Sequence, residues 1–519
     1  MGKKGQCIAG STWFKAVIAL VISSVLVLLF CGIRSEKGFK QEDSKEAFIS
    51  YLDEYIPALM ADYDVPGLSI ALVQGGETVW TNAYGYADVD AGVKMTADTY
   101  ASVQSISKPV TAWGVMRLAE QGLIDLDAPA GLYLKGWEIP ESDYTVSEVT
   151  IRRLLSHTAG MPLGNFNNMF SPREDMPSLK ETLSDEAVLM QQPGLSFSYS
   201  NTGFNLLELL IEEVTGRDFA EYMREEILLP LGIKRATFIW NETLSPPVPF
   251  GYNLKGKAVP VYVYPEKGSG GLFADAEAVA RFAIAGMPGF SEQRVLRGQS
   301  INEMYSAQAV GLGVYSLVFD SYGLGYYLET LPGGETAVSH GGQGAGWMTY
   351  FYAVPETGDG IVLLTNSQRS WPLMAYVLRD WADWNELEAV GMEAIITGQT
   401  ALWAFMGLVW AAALLLLWRL VEGAAKGTRR FSPFAKERLA RRLLMGVVSI
   451  ALTLIVVWCI SQDYMFISSV FPRASAWLAG TALVFAAVIM ASAIYVKNEN
   501  TGRPGRTSIK QTERNDNVK

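Results

Sequence analysis

The sequence predicts an α+β domain built on an antiparallel sheet, followed by an all-α membrane region. Three observations lead there. Strand-like stretches stand at both ends of residues 34–400, with helical stretches between them, a pattern that closes one sheet from the two ends of the segment. Four runs carry no charge: 16–33, 401–418, 443–461 and 476–496. Each approaches the ~18 to 20 residues that a helix needs to cross the hydrocarbon core. Basic residues flank these runs unevenly, as they do around membrane spans.

The elements follow in order. Residues 44–63 read as an amphipathic helix. "GLSIALVQGGETVWTNAYGYADV" reads as a hairpin, with alternating apolar residues on either side of Gly75-Gly76. A helical stretch covers 105–121, and "FNLLELLIEEVTG" is a second one that ends on a C-capping Gly216. "TAVSHGG", "GWMTYFYAV" and "GIVLLTN" read as strands, the last two joined by the turn "PETGDG". The expected division is an N-terminal anchor or signal peptide over 1–33, a domain over 34–385, a linker over 386–400, three spans over 401–496 and a tail over 497–519. The long apolar run without a small-x-small exit favours the anchor.

Charge orients the chain. Lys3, Lys4 and Lys15 precede the first run with no acid among them. Residues 419–442 hold eight Lys/Arg against two acids, and 497–519 hold six against three. Basic flanks stay in the cytoplasm, so residues 34–400 are expected on the outer face of the cell membrane. That segment holds 24 basic and 47 acidic side chains, a formal −23, which excludes a nucleic-acid partner. The three cysteines, Cys7, Cys31 and Cys459, all lie in or near the apolar runs. The outer segment therefore has no disulfide, thiolate nucleophile or cysteine metal cluster.

Three short stretches carry chemistry. In "ASVQSISKPVTAWG", Ser105 precedes Lys108 by one helical turn. The two share a face, and an amine of lowered pKa can take the serine proton. Alone, the pair reads more readily as a capped, solvated helix start. In "FSYSNTGFNLL", Tyr199 can serve as a phenolate-type base or a proton relay, and Asn201 can hold a substrate amide. A buried tyrosine and an N-cap asparagine are the plainer alternatives. In "SHGGQGAGW", glycines including Gly342 let a strand backbone approach a substrate, with N–H groups available to an oxyanion. His340 opens that stretch. The other histidine, His157 in "IRRLLSHTAGMPLG", reads as a loop-fixing residue.

The order Ser-x-x-Lys, Tyr-x-Asn, His-Gly-Gly resembles the serine β-lactamase and penicillin-binding-protein superfamily, most nearly its class C β-lactamase-related branch. "LLSHTAGMP", "PGLSFSYSNTG", "EEILLPLGIKRATF", "SYGLGYY" and "GIVLLTN" extend the similarity over residues 44–370. The resemblance implies an antiparallel sheet flanked by helices beside a helical lobe, with the active site between them. It implies Ser105 as the acylated nucleophile, Lys108 as its base and Tyr199 as a second base. Asn201 would bind the substrate amide, and the N–H groups of Ser105 and Gln343 would form the oxyanion hole. His340 stands where relatives have the lysine of a Lys-Thr-Gly motif, and Gly341 stands where they have a hydroxyl. Carboxylate recognition, and so efficient β-lactam hydrolysis, is therefore in doubt. No metal or organic cofactor is called for. The expected activity is a membrane-anchored, extracytoplasmic serine hydrolase acting on a small-molecule or cell-envelope ester or amide: an esterase, a D-amino-acid peptidase or a weak β-lactamase. The alternatives are a β-lactam- or peptidoglycan-binding sensor with slow turnover, and a lipid-interacting protein whose outer fold is inactive.

Overall fold

A computed structural model describes residues 44–498, apart from 166–167, 388 and 463–464. The apolar run 16–33 and the tail beyond residue 498 lie outside the described residues. The described residues divide into two units, 44–399 with 465–473, and 400–462 with 474–498.

The larger unit is organised by a nine-stranded antiparallel sheet. Its strands are β1 (Gly67–Gln74), β2 (Glu77–Asp88), β3 (Val93–Lys94), β4 (Ala309–Val310), β5 (Ser321–Tyr322), β6 (Tyr327–Thr330), β7 (Thr336–Gly344), β8 (Trp347–Val354) and β9 (Asp359–Thr365). The spatial order is β3-β2-β1-β9-β8-β7-β6-β5-β4. The first and last long strands are thus neighbours, with Ile70 opposite Leu363. The β1–β2 turn places both Gly75 and Gly76 at positive φ, 58° and 78°, as a two-residue hairpin turn of this hand requires.

Both faces of the sheet are buried, and strand alternation divides the core between them. Leu68, Ile70, Leu72, Tyr350, Tyr352 and Leu363 join a cluster with helices α1 (Lys45–Tyr63) and α5 (Trp371–Trp384). Phe48 of α1 stacks on Trp384 of α5 at 4.5 Å between ring centroids. Ala71, Val73, Phe351, Val362 and Leu364 face the other cluster. It is filled by α2 (Ser107–Glu120), α3 (Asn201–Thr215) and α4 (Ala276–Ala285). A large apolar side chain such as Phe48, with no exposed surface, contributes about 1.5–3 kcal/mol by leaving water. Burial on both sides explains why "WMTYFYAV" shows no polar alternation.

The boundary between the domain and the apolar helices differs from expectation. Residues 386–400 do not form a plain linker. Leu387, Val390 and Met392 are buried in the sheet core, and Glu393 already opens helix α6 (Glu393–Ala425). These apolar positions give the segment something to pack against. The next apolar helices are α7 (Leu439–Ser461) and α9 (Pro472–Ile494), and between them lies a short helix, α8 (Phe466–Val470). All three of α6, α7 and α9 are long and apolar enough to cross a membrane. Within their unit, Ser449 Oγ donates to the Ala486 carbonyl at 2.8 Å and Trp410 Nε1 donates to Thr481 Oγ1 at 3.0 Å. Such polar contacts join helices that have little hydrophobic drive to associate in lipid. Residues 465–473 belong with the larger unit, where Ser469 and Val470 are buried.

Candidate active site

Ser105 lies on a single 3-10 turn, Gln104–Ile106, that feeds α2. Gln104 before it has φ +54°, in the left-handed region that costs a non-glycine residue roughly 1–2 kcal/mol. Its side chain is held on three sides. Nε2 donates to Ser102 Oγ (2.7 Å) and to the Tyr262 hydroxyl (3.0 Å), and Oε1 accepts from the Tyr264 hydroxyl (3.0 Å). Strand β7 passes close by: a Cβ at Gly342 would collide with the Val103 carbonyl oxygen and the Thr349 hydroxyl. The glycine is what lets the strand meet the turn that bears the serine. Thr349 Oγ1 then donates to that same Val103 carbonyl at 2.7 Å.

Lys108 is fully buried. Its Nζ lies 3.0 Å from Ser105 Oγ, 2.7 Å from Asn201 Oδ1 and 2.9 Å from the Ser269 carbonyl oxygen. Burial without a carboxylate partner holds the amine well below its ordinary pKa. The partners then assign the protons. Asn201 Oδ1 and the Ser269 carbonyl can only accept, so they take the two N–H bonds of a neutral amine. Its lone pair is left for the Ser105 hydroxyl.

The Tyr199 ring lies 4.9 Å from Lys108 Nζ, which places it beside Ser105. Its aromatic surroundings push the phenol pKa upward by desolvation. The neutral phenol is therefore the resident form, which suits a proton relay better than a phenolate base. His157 fixes this segment. Its Nδ1 accepts from the Ser200 N–H at 3.1 Å, its carbonyl accepts from the Ser198 N–H at 2.8 Å, and its ring is 4.4 Å from that of Tyr199. Asn201 is not the N-cap of α3. Ser200 caps it, accepting from the Gly203 N–H at 2.8 Å, and Asn201 opens the helix with its side chain on Lys108.

The third motif divides by strand face. His340, expected as a substrate ligand, is fully buried, its ring 6.4 Å from that of Tyr199. Its Nδ1 is 2.8 Å from the Gly341 carbonyl oxygen, which can only accept, so Nδ1 carries the proton. Nε2 faces the Tyr322 hydroxyl at 3.2 Å. Burial pushes its pKa down to about 3, so the ring is neutral. Gly341 points to the opposite face, where a Cβ would lie 2.8 Å from Trp371 Cη2. The side chain of Gln343 shares that face. Trp371 Nε1 donates to it at 3.4 Å and it donates to Ser469 Oγ of α8 at 3.3 Å.

Two contributors have no motif in the sequence. The loop "EKGSGG" supplies the Ser269 carbonyl, and buried Glu208 of α3 shapes that loop. Glu208 Oε2 accepts from the N–H groups of Lys267 and Gly268, each at 2.6 Å. Thr111 Oγ1 of α2 donates to the Gly268 carbonyl at 2.8 Å. The glycines of the loop were the available signal. Ser105, Asn201, Ser269 and Gln343 open onto one cleft.

The chain is similar to known proteins in sequence and in fold. The "Beta-lactamase" family description matches residues 52–382, more than half of the chain. Protein flp of Staphylococcus aureus (strain MW2) is 30% identical over 210 residues, covering 39% of this chain and 40% of that protein. The chain thus spans about two fifths of that relative's length. Penicillin-binding protein 4* of Bacillus subtilis (strain 168) is 24% identical over 324 residues, covering 58% of this chain and 68% of its own. Among solved structures, the octameric penicillin-binding protein homologue from Pyrococcus abyssi aligns with a TM-score of 0.55 and 27% identity, over 64% of this chain and 77% of its own. A D-stereospecific amidohydrolase from Streptomyces sp. aligns at 0.51 and 25%, over 60% and 93%. With the family description matched across the sheet, the helical lobe and the Ser105 cleft, this chain belongs to the beta-lactamase family of serine hydrolases.

Proposed function

We propose that the protein is a membrane-anchored, extracytoplasmic serine hydrolase that cleaves an ester or amide through an acyl-enzyme at Ser105. One observation carries the reading: Lys108 is buried without a counter-charge, its Nζ 3.0 Å from Ser105 Oγ and its other two partners able only to accept. In the forward step the Ser105 proton passes to Lys108 Nζ and Oγ bonds to the substrate carbonyl carbon. The oxyanion is held by the N–H groups of Ser105 and Gln343. Its collapse breaks the bond to the leaving group, which takes a proton through Tyr199. Water then attacks the acyl carbon by the reverse relay, releasing the acid and restoring Ser105. Asn201 holds Lys108 and borders the cleft, where it can also meet a substrate amide.

Substrates without a carboxylate suit this site. His340 is neutral and buried, and the described residues of the cleft wall include Glu186 and Glu266 but no Lys or Arg. The basic flanks of the apolar helices support an outer placement of the domain. The test is turnover by the full-length chain of a panel of p-nitrophenyl esters, amino-acid amides and penicillins. A neutral ester or amide should exceed every penicillin in kcat/KM, and Ser105→Ala should abolish turnover without loss of fold. Turnover that survives Ser105→Ala, or a preference for penicillin, contradicts the reading.

A further inference from the structure

Three acceptor side chains line the Ser105 cleft without a part in acyl transfer: Glu186, Glu266 and Asn205. Asn205 lies one turn beyond Asn201 on the same face of α3. It is 5% exposed, and its Oδ1 is buried without a hydrogen-bond partner. A buried acceptor left unmet is costly and uncommon in a folded protein. Glu266 is 6% exposed. Burial, with the neighbouring Glu186 charge adding to it, raises the Glu266 carboxyl above its ordinary pKa. Glu186 is half-buried and accepts from the Asn165 N–H at 3.3 Å. The Lys267 ammonium lies 3.7 Å from Glu208 Oε1, and its charge draws the Glu266 pKa part of the way back down. The cleft wall therefore offers oxygen acceptors of partial or full negative charge, and a donor is wanting at one of them.

We propose that Glu186, Glu266 and Asn205 form a subsite for an ammonium group, so that the substrates of this hydrolase are amine-bearing esters or amides. The proposal rests on the hydrolase reading above and narrows its substrate class. An ammonium carries three N–H donors and no acceptor, the complement of this acceptor set. It would give Asn205 Oδ1 its missing donor and offset the repulsion between the two carboxylates. A metal ion fits less well: among the described residues no group of three or more His, Cys, Asp or Glu could hold one.

Binding is tested apart from catalysis. In the full-length Ser105→Ala chain, alaninamide (both enantiomers) and N-acetylalaninamide are titrated by ligand-observed NMR. The free amine should bind at least tenfold more tightly, since charge-assisted hydrogen bonds discriminate by roughly 10- to 150-fold. Glu266→Gln and, separately, Glu186→Gln should each reduce that ratio, with melting curves checking that both variants fold. In the natural chain, kcat/KM should favour the ester with a free amine over its N-acetyl form by a similar factor. Equal affinity for the two amides, or a ratio that neither glutamine variant lowers, overturns the proposal. Selective amine binding in a chain that turns over nothing would count against the hydrolase reading and leave the subsite standing.

Discussion

Lys108 has no neighbouring carboxylate among its hydrogen-bond partners, and that is what makes it a base. Removing the amine leaves Ser105 without a proton acceptor, so Lys108→Ala should slow acylation on the order of 10² or more, as for a lost general base. Stopped-flow or burst kinetics with a p-nitrophenyl ester checks this, and an unchanged acylation rate would remove Lys108 from the mechanism. The spacing of Ser105 and Lys108 was legible in the sequence because it is local to one helical turn. The place of His340 was not. Its alignment with a family lysine suggested a substrate ligand, but Tyr199 and Tyr322, distant in sequence, enclose it. Converting the motif to a lysine-threonine pair is therefore obstructed. The lysine would bury a charge with no counter-ion close to Lys108, and the threonine would meet Trp371. The double variant His340→Lys with Gly341→Thr should lose stability, on the order of 3 kcal/mol or more, because an unpaired charge is buried. Thermal melting checks that loss. A double variant as stable as the natural chain would contradict this packing.

Elements divide in the same way. The hairpin at Gly75-Gly76, the helix ending on Gly216 and the strands near residue 350 were legible, because turn chemistry and periodicity are local signals. Helix α8 and the loop after Lys267 were not legible, because their roles depend on contacts far along the chain: Ser469 with Gln343, and Glu208 with the N–H groups of Lys267 and Gly268. Glu208 also gives its element a pH signature. Burial raises its carboxyl from 4.5 to about 7. A raised folded-state pKa means the folded protein binds the proton more tightly than the unfolded chain. The stabilisation is fully present below the unfolded value and is lost as pH rises through about 7. Glu208→Gln imitates the protonated form and should flatten the decline of Tm between pH 4.5 and 7 relative to the natural chain. Parallel Tm profiles for the two proteins would remove Glu208 as the source of that dependence.

At the scale of the whole molecule, the sequence announced a sheet domain and apolar helices. It misplaced the join, because Leu387, Val390 and Met392 complete the domain core where a linker was expected. The orientation read from charge predicts that protease applied to intact cells removes the large domain and spares a tag placed after Lys519. A protected domain would reverse the topology. The central claim is covalent, and one measurement reaches it directly. The full-length protein is treated with a fluorophosphonate, digested, and the adduct located by mass spectrometry. The account predicts a single modified serine, Ser105, within residues 101–114, with no adduct in Ser105→Ala and slowed formation in Lys108→Ala. An adduct on another residue, or labelling unchanged by Ser105→Ala, would contradict it.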